Sequence, residues 1–418
     1  MATPSHSTPI APTASLAIKV CSTRFSNSNG CISVKTLDSL LAKELTGGMV
    51  RKTSTHIDFT LNEYIPFTVD NNLLQSLTAV YANNAWISRP TGVGQESEVA
   101  EWMNNIGDDL ARKLPNGPRL LRKWSAQNAN TSLAGSSVER KPDIILVDHD
   151  SASPYFWQNV RGLTEVTSQP TFHARIRNTI YQKSFLMFTS QPDRRIVLSL
   201  ALFGKGFVFT ACDRAGVIHS ETLSYNECAL TLLSLLAIFM FGTEESIGYD
   251  TTMRRGPDDN IKAITVAGDD YTVLRKIYSA ETLRGRATQC WHVKKDGQEF
   301  AIKDSWVHLG RSSNEINILK KIEGVRDTPA LHVGEDVKLS SGKVDSTALL
   351  RQGHDYKEHR CHRRLVMTPV GAPIFTFTSR KELIGAFRNI VQGIFIHSVT
   401  FTVKQLMIFI ISSPQDFM

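Results

Sequence analysis

The most apolar internal run of the chain, ALTLLSLLAIFMFG from Ala229 to Gly242, carries no charged residue. It is shorter than the ~18–20 residues a bilayer requires, so it reads as a helix buried inside a protein core. Directly before it stands RRIVLSLALFGKGFVFTACDRAGVIHSE, which reads as two paired strands. Within that stretch CDRAG, Cys212 to Gly216, closes a hairpin, with Arg214 anchoring locally. Upstream, PDIILVD and VRGLTEVTS read as strands and FHARIRNTIYQKSFLMFTS as a helix. Strand, strand, helix, strand and then an all-apolar helix predict a layered α/β core.

The flanks differ. NNLLQSLTAVYANNAW and SEVAEWMNNIGDDLARKL repeat apolar residues at helical spacing and read as helices, joined by the turn signals of SRPTGVGQ. Residues 1–65 read as a flexible Ser/Thr/Pro/Ala-rich tail with one short helical pattern, LDSLLAKEL, and no secretion signal. GPDDNIKAI interrupts the α/β pattern near residue 256, and a β-rich lobe follows from residue 262. It holds short strands, a helix over about residues 312–323, further strands to HRRLVMTPVG, and a final helix beginning SRKELIGAFRNIVQG. The expected division is a tail at 1–65, an α/β domain at 66–255, a β-rich lobe at 262–393 and an apolar tail at 394–418.

Composition narrows the function classes. A net charge of +7 permits contact with phosphates or nucleic acid without requiring it. The six cysteines form no CxxC pair and no zinc-type cluster, so they read as reduced thiols of an intracellular protein, in cytoplasm or nucleus. The C-terminal run from Ile390 to Ser412 includes His397, Lys404 and Gln405 and does not read as a membrane segment.

The stretch EFAIKDSW sets Lys303 in the middle of an apolar strand, and RSSNEINILKKI, with Ser312 or Ser313 as its cap, sets Glu315 in the first turn of a helix. A strand lysine held by a helix glutamate is the pairing with which protein kinases grip α/β-phosphates. Upstream, LRGRATQCWHVKKDGQEFAIK outlines a nucleotide-covering hairpin with Gly285 in its turn. One glycine stands where a kinase loop usually has three. A strand lysine alone is more often a surface residue; the ordered set of loop, lysine and glutamate favours the phosphate-binding reading.

The stretches RGRATQCW, FAIKDSW, NEINIL and HRRLVMTPVGAPIFTFTSRKELIGAFRNIVQG together resemble the fungal-type protein kinase family. KPDIILVD, CDRAGVIHSE and the apolar helix extend that resemblance over roughly residues 60–393. It implies an ATP- and magnesium-dependent Ser/Thr kinase, with Lys303 and Glu315 as the phosphate-anchoring pair and Gly285 in the nucleotide loop. It also implies a hinge from Val366 through Met367 to Gly371. Past Gly393 the chain reads IFIHSVTFTVKQLMIFIISSPQDFM, with no His-Arg-Asp loop and no Asp-Phe-Gly; Asp416 and Phe417 fit by chance only. The expectation is a kinase-like N-lobe with an incomplete C-lobe, truncated and catalytically inactive, binding at most as a pseudokinase fragment with protein partners. ATP and magnesium are expected for intact relatives, with neither assigned to this chain.

A second constellation lies in the α/β region. Asp143 opens one strand after a proline and Glu165 lies in the next, a pattern that resembles restriction-endonuclease-like folds, in which two carboxylates hold a divalent metal. Thr167 occupies the position of the expected lysine; Lys183 is the substitute, and Glu98 or Glu101 the third carboxylate. The basic groups of FHARIRNTIYQKS and DRR read as a solvated face in preference to a nucleic-acid groove. Trp102, Trp124 and Trp157 read as packing residues, and His173 and His219 as structural. The alternative function is therefore a nucleic-acid-associated protein, and no membrane partner is implied.

Overall fold

The computed structural model describes residues 33–53, 67–90, 94–114, 117–136, 138–309, 315–325, 328–352, 356–371, 377–385 and 387–389. The N-terminal tail to residue 32, the Ser312 and Ser313 cap, Gly393 and the apolar C-terminal run lie outside them.

The first unit comprises helices α1 (Val34–Glu44), α2 (Asn71–Ser76), α3 (Glu96–Lys113), α4 (Ala174–Ser190) and α5 (Ala229–Phe241) around one sheet. Its strands are β1 (Met49–Lys52), β4 (Arg122–Ser125), β5 (Ile144–Asp148), β6 (Gly162–Thr167), β7 (Ile196–Phe203), β8 (Gly206–Asp213), β9 (Gly216–Ser220) and β10 (Leu223–Ser224). The order is β1-β9-β8-β7-β6-β5-β4, with β10 on β8. Pairing is antiparallel except at β1/β9 and β6/β7, and the second of these needs the α4 crossover. Residues 34–52, grouped with the tail on sequence grounds, thus pack into this sheet.

Both faces of the sheet are covered, which explains the long apolar runs. Ile144 and Leu146 of β5 enter the core beneath α3 and α5, while Ile145 and Val147 enter the core beneath α1 and α4. In β7, Leu198, Leu200 and Leu202 point one way and Val197, Ala201 and Phe203 the other. The α5 helix is buried on nearly every side, as its uniform apolarity requires.

The segment read as one helix from Asn71 stops at Ser76, and strands β2 (Tyr81–Ala82) and β3 (Ala85–Trp86) form a hairpin. Asn83 and Asn84 both adopt left-handed backbone, at φ 53° and 59°, which asparagine tolerates and a helix cannot use. The stretch before α5 contains three strands, β7, β8 and β9, with reversals at Gly204 and at Ala215. Gly216 permits the second reversal: at φ 135°, an added Cβ would sit 2.0 Å from the Gly48 carbonyl oxygen.

The second unit is one antiparallel sheet with strands β11 (Met253–Arg255), β12 (Ile261–Val266), β13 (Asp269–Ser279), β14 (Gln289–Lys295), β15 (Gln298–His308), β16 (Ala330–Asp336) and β17 (Arg360–Thr368). Its order is β11-β12-β13-β14-β15-β17-β16. Helix α6 (Glu315–Lys321) lies on one face, where Leu319 meets Leu365 and Met367. The opposite face forms its own core around Tyr271, Trp291, Phe300, Ile302 and Val366. Among the described residues no helix is long and apolar enough to cross a membrane.

A lysine–glutamate pair under an anchored loop

Strand β15 pairs with β14 and β17, so Lys303 stands between Cys290 and Leu365, with Ala301 and Met367 as the next pair on the same face. Helix α6 crosses that face. Lys303 Nζ donates to Glu315 Oε1 at 2.6 Å, with both side chains largely buried. Arg286 Nη2 donates to the other oxygen, Oε2, at 3.2 Å. Two cations thus share one carboxylate, and the three groups together carry a net positive charge.

Gly285 lies in the loop 280–288 between β13 and β14, at φ 133°, a conformation that side-chain-bearing residues rarely adopt. This loop is fastened to the first unit. Leu283 is fully buried in the core beneath α1 and α4. Arg214 Nη1 donates to the Thr282 carbonyl at 2.7 Å, and Gly285 N donates to the Arg214 carbonyl at 2.9 Å. Arg284 N reaches Glu44 Oε1 at 2.6 Å, while its guanidinium donates to the Ala215, Glu44 and Thr46 carbonyls. Arg214 therefore anchors across the two units and not locally, as its sequence neighbourhood suggested.

Val366 and Met367 are separated by strand alternation. Met367 faces the lysine side, whereas Val366 points into the opposite core with no exposure. Both lie inside β17, and the chain leaves the strand at the cis Thr368–Pro369 bond.

Behind Lys303, on the Val366 face, lies a buried charge network absent from the sequence reading. Asp304 accepts from Arg364 Nε at 2.7 Å and bonds His362 Nε2 at 2.6 Å. His362 Nδ1 bonds Asp345 at 2.9 Å, and Asp345 accepts from Arg195 at 2.7 Å. Arg364 also binds Asp250 and Thr252, and the Trp306 ring stacks on His362 at 4.7 Å. Burial alone would depress the His362 pKa, but Asp304, Asp345 and Asp250 raise it to about 9. Asp250 and Asp304 are held below the usual carboxylate range, burial being outweighed by Arg364 and His362.

Asp250, Asp304 and His362 are close enough to hold a cation. The chemistry of the set argues otherwise. The Arg364 guanidinium already fills the space between the two carboxylates, and with Arg195 and the imidazolium it balances Asp250, Asp304 and Asp345. A cue existed in the token IKDSW, where an aspartate directly follows the lysine, but its partners are distant in sequence.

The other predicted constellation is also drawn together. Lys183 Nζ donates to Glu165 Oε1 at 2.5 Å, both side chains being buried, so the lysine reaches this carboxylate. Asp143 accepts from Val166 N at 2.9 Å. Burial raises the Glu165 pKa to about 7 with help from Asp143, against the pull of Lys183. The helix carboxylate whose charge is felt at Asp143 is Glu96. Glu98 and Glu101 line a separate groove with Ile87 and Arg89. Arg194 and Arg195 of the DRR stretch face inward, Arg194 lying 3.6 Å over the Tyr249 ring. His173 caps α4, His219 is buried between Tyr181 and Thr210, and the three tryptophans are core residues. Cys212, Cys228, Cys290 and Cys361 are free thiols.

No curated protein and no solved structure matches the chain. A family model described as fungal protein kinase matches residues 141–398, more than half of the chain. The match takes in β5 to α5 of the first unit as well as the sheet that carries Lys303, while the elements before β5 lie outside it. By that match the chain belongs to the fungal protein kinase family.

Proposed function

We propose that the Lys303–Glu315 pair anchors the phosphates of ATP in a Ser/Thr protein kinase cleft. The observation that supports this reading is the 2.6 Å ion pair between a mid-strand lysine and a first-turn helix glutamate. The strand order before it agrees with a kinase nucleotide cleft: a loop, one strand, a tight turn, then the lysine strand. Glu315 holds the ammonium forward and fixes its height above the sheet; Gly285 lets the loop bend over that position. Met367, on the same face beside Ala301, stands where the cleft would continue toward the hinge.

Kinase magnesium is held by a catalytic-loop asparagine and an Asp-Phe-Gly aspartate. The buried Asp250, Asp304 and His362 group does not substitute for them, because arginine already neutralises it on the far face of the sheet.

The test is acylation of the full chain with an ATP-directed lysine probe. Lys303 is expected to label, ATP to protect it, and Lys303→Met to weaken ATP binding at least tenfold. Unchanged labelling in saturating ATP, with equal affinity in the variant, would overturn the reading.

A further inference from the structure

The geometry points to Arg286 as a second phosphate-binding cation of this cleft, acting beside Lys303 on the polyphosphate of the nucleotide. The inference rests on the nucleotide reading of Lys303 and Glu315 and extends it to a residue of the loop.

Three observations support it. First, Arg286 directly follows Gly285 and reaches the same carboxylate as Lys303, so both cations converge on one place from the loop and from the sheet. Second, the guanidinium is under-satisfied. Its contact to Glu315 is 3.2 Å, longer than the ~2.7–2.9 Å usual for charge-assisted bonds. Its Nε is buried with no hydrogen-bond partner among the described residues. The side chain is nonetheless 38% exposed, so part of the fork stays open to an incoming anion. Third, the backbone on either side is pinned. Gly285 N is held by the Arg214 carbonyl at 2.9 Å, and the Arg286 carbonyl accepts from Trp306 N of the lysine strand at 2.7 Å.

This arrangement differs in kind from a free loop arginine. The side chain needs only to turn, because the chain that carries it is already placed, and preorganisation of that sort lowers the ordering cost of binding. A planar fork suits phosphate oxygens in two-point contact. When phosphate enters, Arg286 exchanges a long bond to Glu315 for bonds to the anion, while Glu315 keeps Lys303. The chemical class recognised is a nucleoside di- or triphosphate, and adenosine gains nothing from the contact.

The experiment measures binding of ATP, adenosine and inorganic tripolyphosphate to the full chain, its Arg286→Gln and Arg286→Lys variants, and Lys303→Met. Arg286→Gln is expected to weaken ATP and tripolyphosphate at least tenfold and leave adenosine within twofold. Arg286→Lys should recover part of the loss. Equal affinity of the Gln variant for ATP, or an equal loss for adenosine, overturns the inference while leaving the nucleotide reading in place. Tripolyphosphate binding that needs Arg286, without any ATP binding, overturns the nucleotide reading and with it the inference, leaving only an inorganic polyphosphate contact. Absence of binding to all three ligands overturns both. Thermal melts of each variant separate misfolding from lost contacts.

Discussion

Arg351 Nη2 donates to Asp213 Oδ1 at 2.8 Å across 138 residues of sequence, and neither side chain is open to solvent. Asp213 ends strand β8 of the first sheet, and Arg351 belongs to the segment between β16 and β17 of the second. The same boundary carries Arg195–Asp345, Arg364–Asp250 and Arg255–Asp193. Burying charges is costly unless each has its partner, so such pairs tolerate little sliding of one unit on the other. The two sheets are therefore expected to unfold as one block.

Arg351→Met should cost about 3–5 kcal/mol, because Asp213 is left without its cation in a closed interface. Calorimetry should show one transition in the wild type, shifted down in the variant. Two well-separated transitions in the wild type would contradict the single-block view.

His362 supplies a pH dependence. Its pKa is raised from 6.5 to about 9, so the imidazolium stabilises the fold fully below about 6.5, and that contribution is lost as pH rises through 9. The shift corresponds to roughly 3 kcal/mol. Asp304, Asp345, Asp250 and Arg364 all face the ring or its partners. The difference in melting temperature between wild type and His362→Gln should shrink between pH 7 and pH 10. A pH-independent difference would rule the imidazolium out.

Leu283→Ala removes a fully buried side chain from the first unit's core, although the residue lies in the loop of the second. The cost expected is ~2–5 kcal/mol. The same change should also weaken ATP binding severalfold, because the loop loses its anchor. Hydrogen exchange of amides 282–288 should rise in the variant; unchanged exchange would show that Arg214 and Arg284 hold the loop without it.

Lys183→Met leaves Glu165 buried without its cation and should destabilise the chain by about 3 kcal/mol or more. Adding Glu165→Leu should recover much of that loss, since both charges are then gone. Denaturant titration of the two singles and the double completes the cycle, and simple additivity would show that the pair is not coupled.

Local pattern carried a large part of this fold. The all-apolar run, the alternating runs before it and the 3.6-residue spacing of Glu96–Lys113 each specify an element by which faces must leave water. The spacing between Lys303 and Glu315 likewise places a strand lysine near a helix start, and the two side chains meet at 2.6 Å. The pattern misled where backbone conformation overrode it, as at Asn83–Asn84, where left-handed residues turn an apparent helix into a hairpin.

What the linear order of residues determined, then, is the kind of each element and the electrostatic couple at its centre, because periodicity and turn chemistry act over a few residues. Only the folded chain decided that Leu283 enters the other unit's core and that Arg286 converges on Glu315. It also decided that Asp304, His362, Asp345 and Arg195 form one closed line of charge. Those contacts join positions far apart in the chain, and their energy depends on burial, which exists only once the sheets have come together.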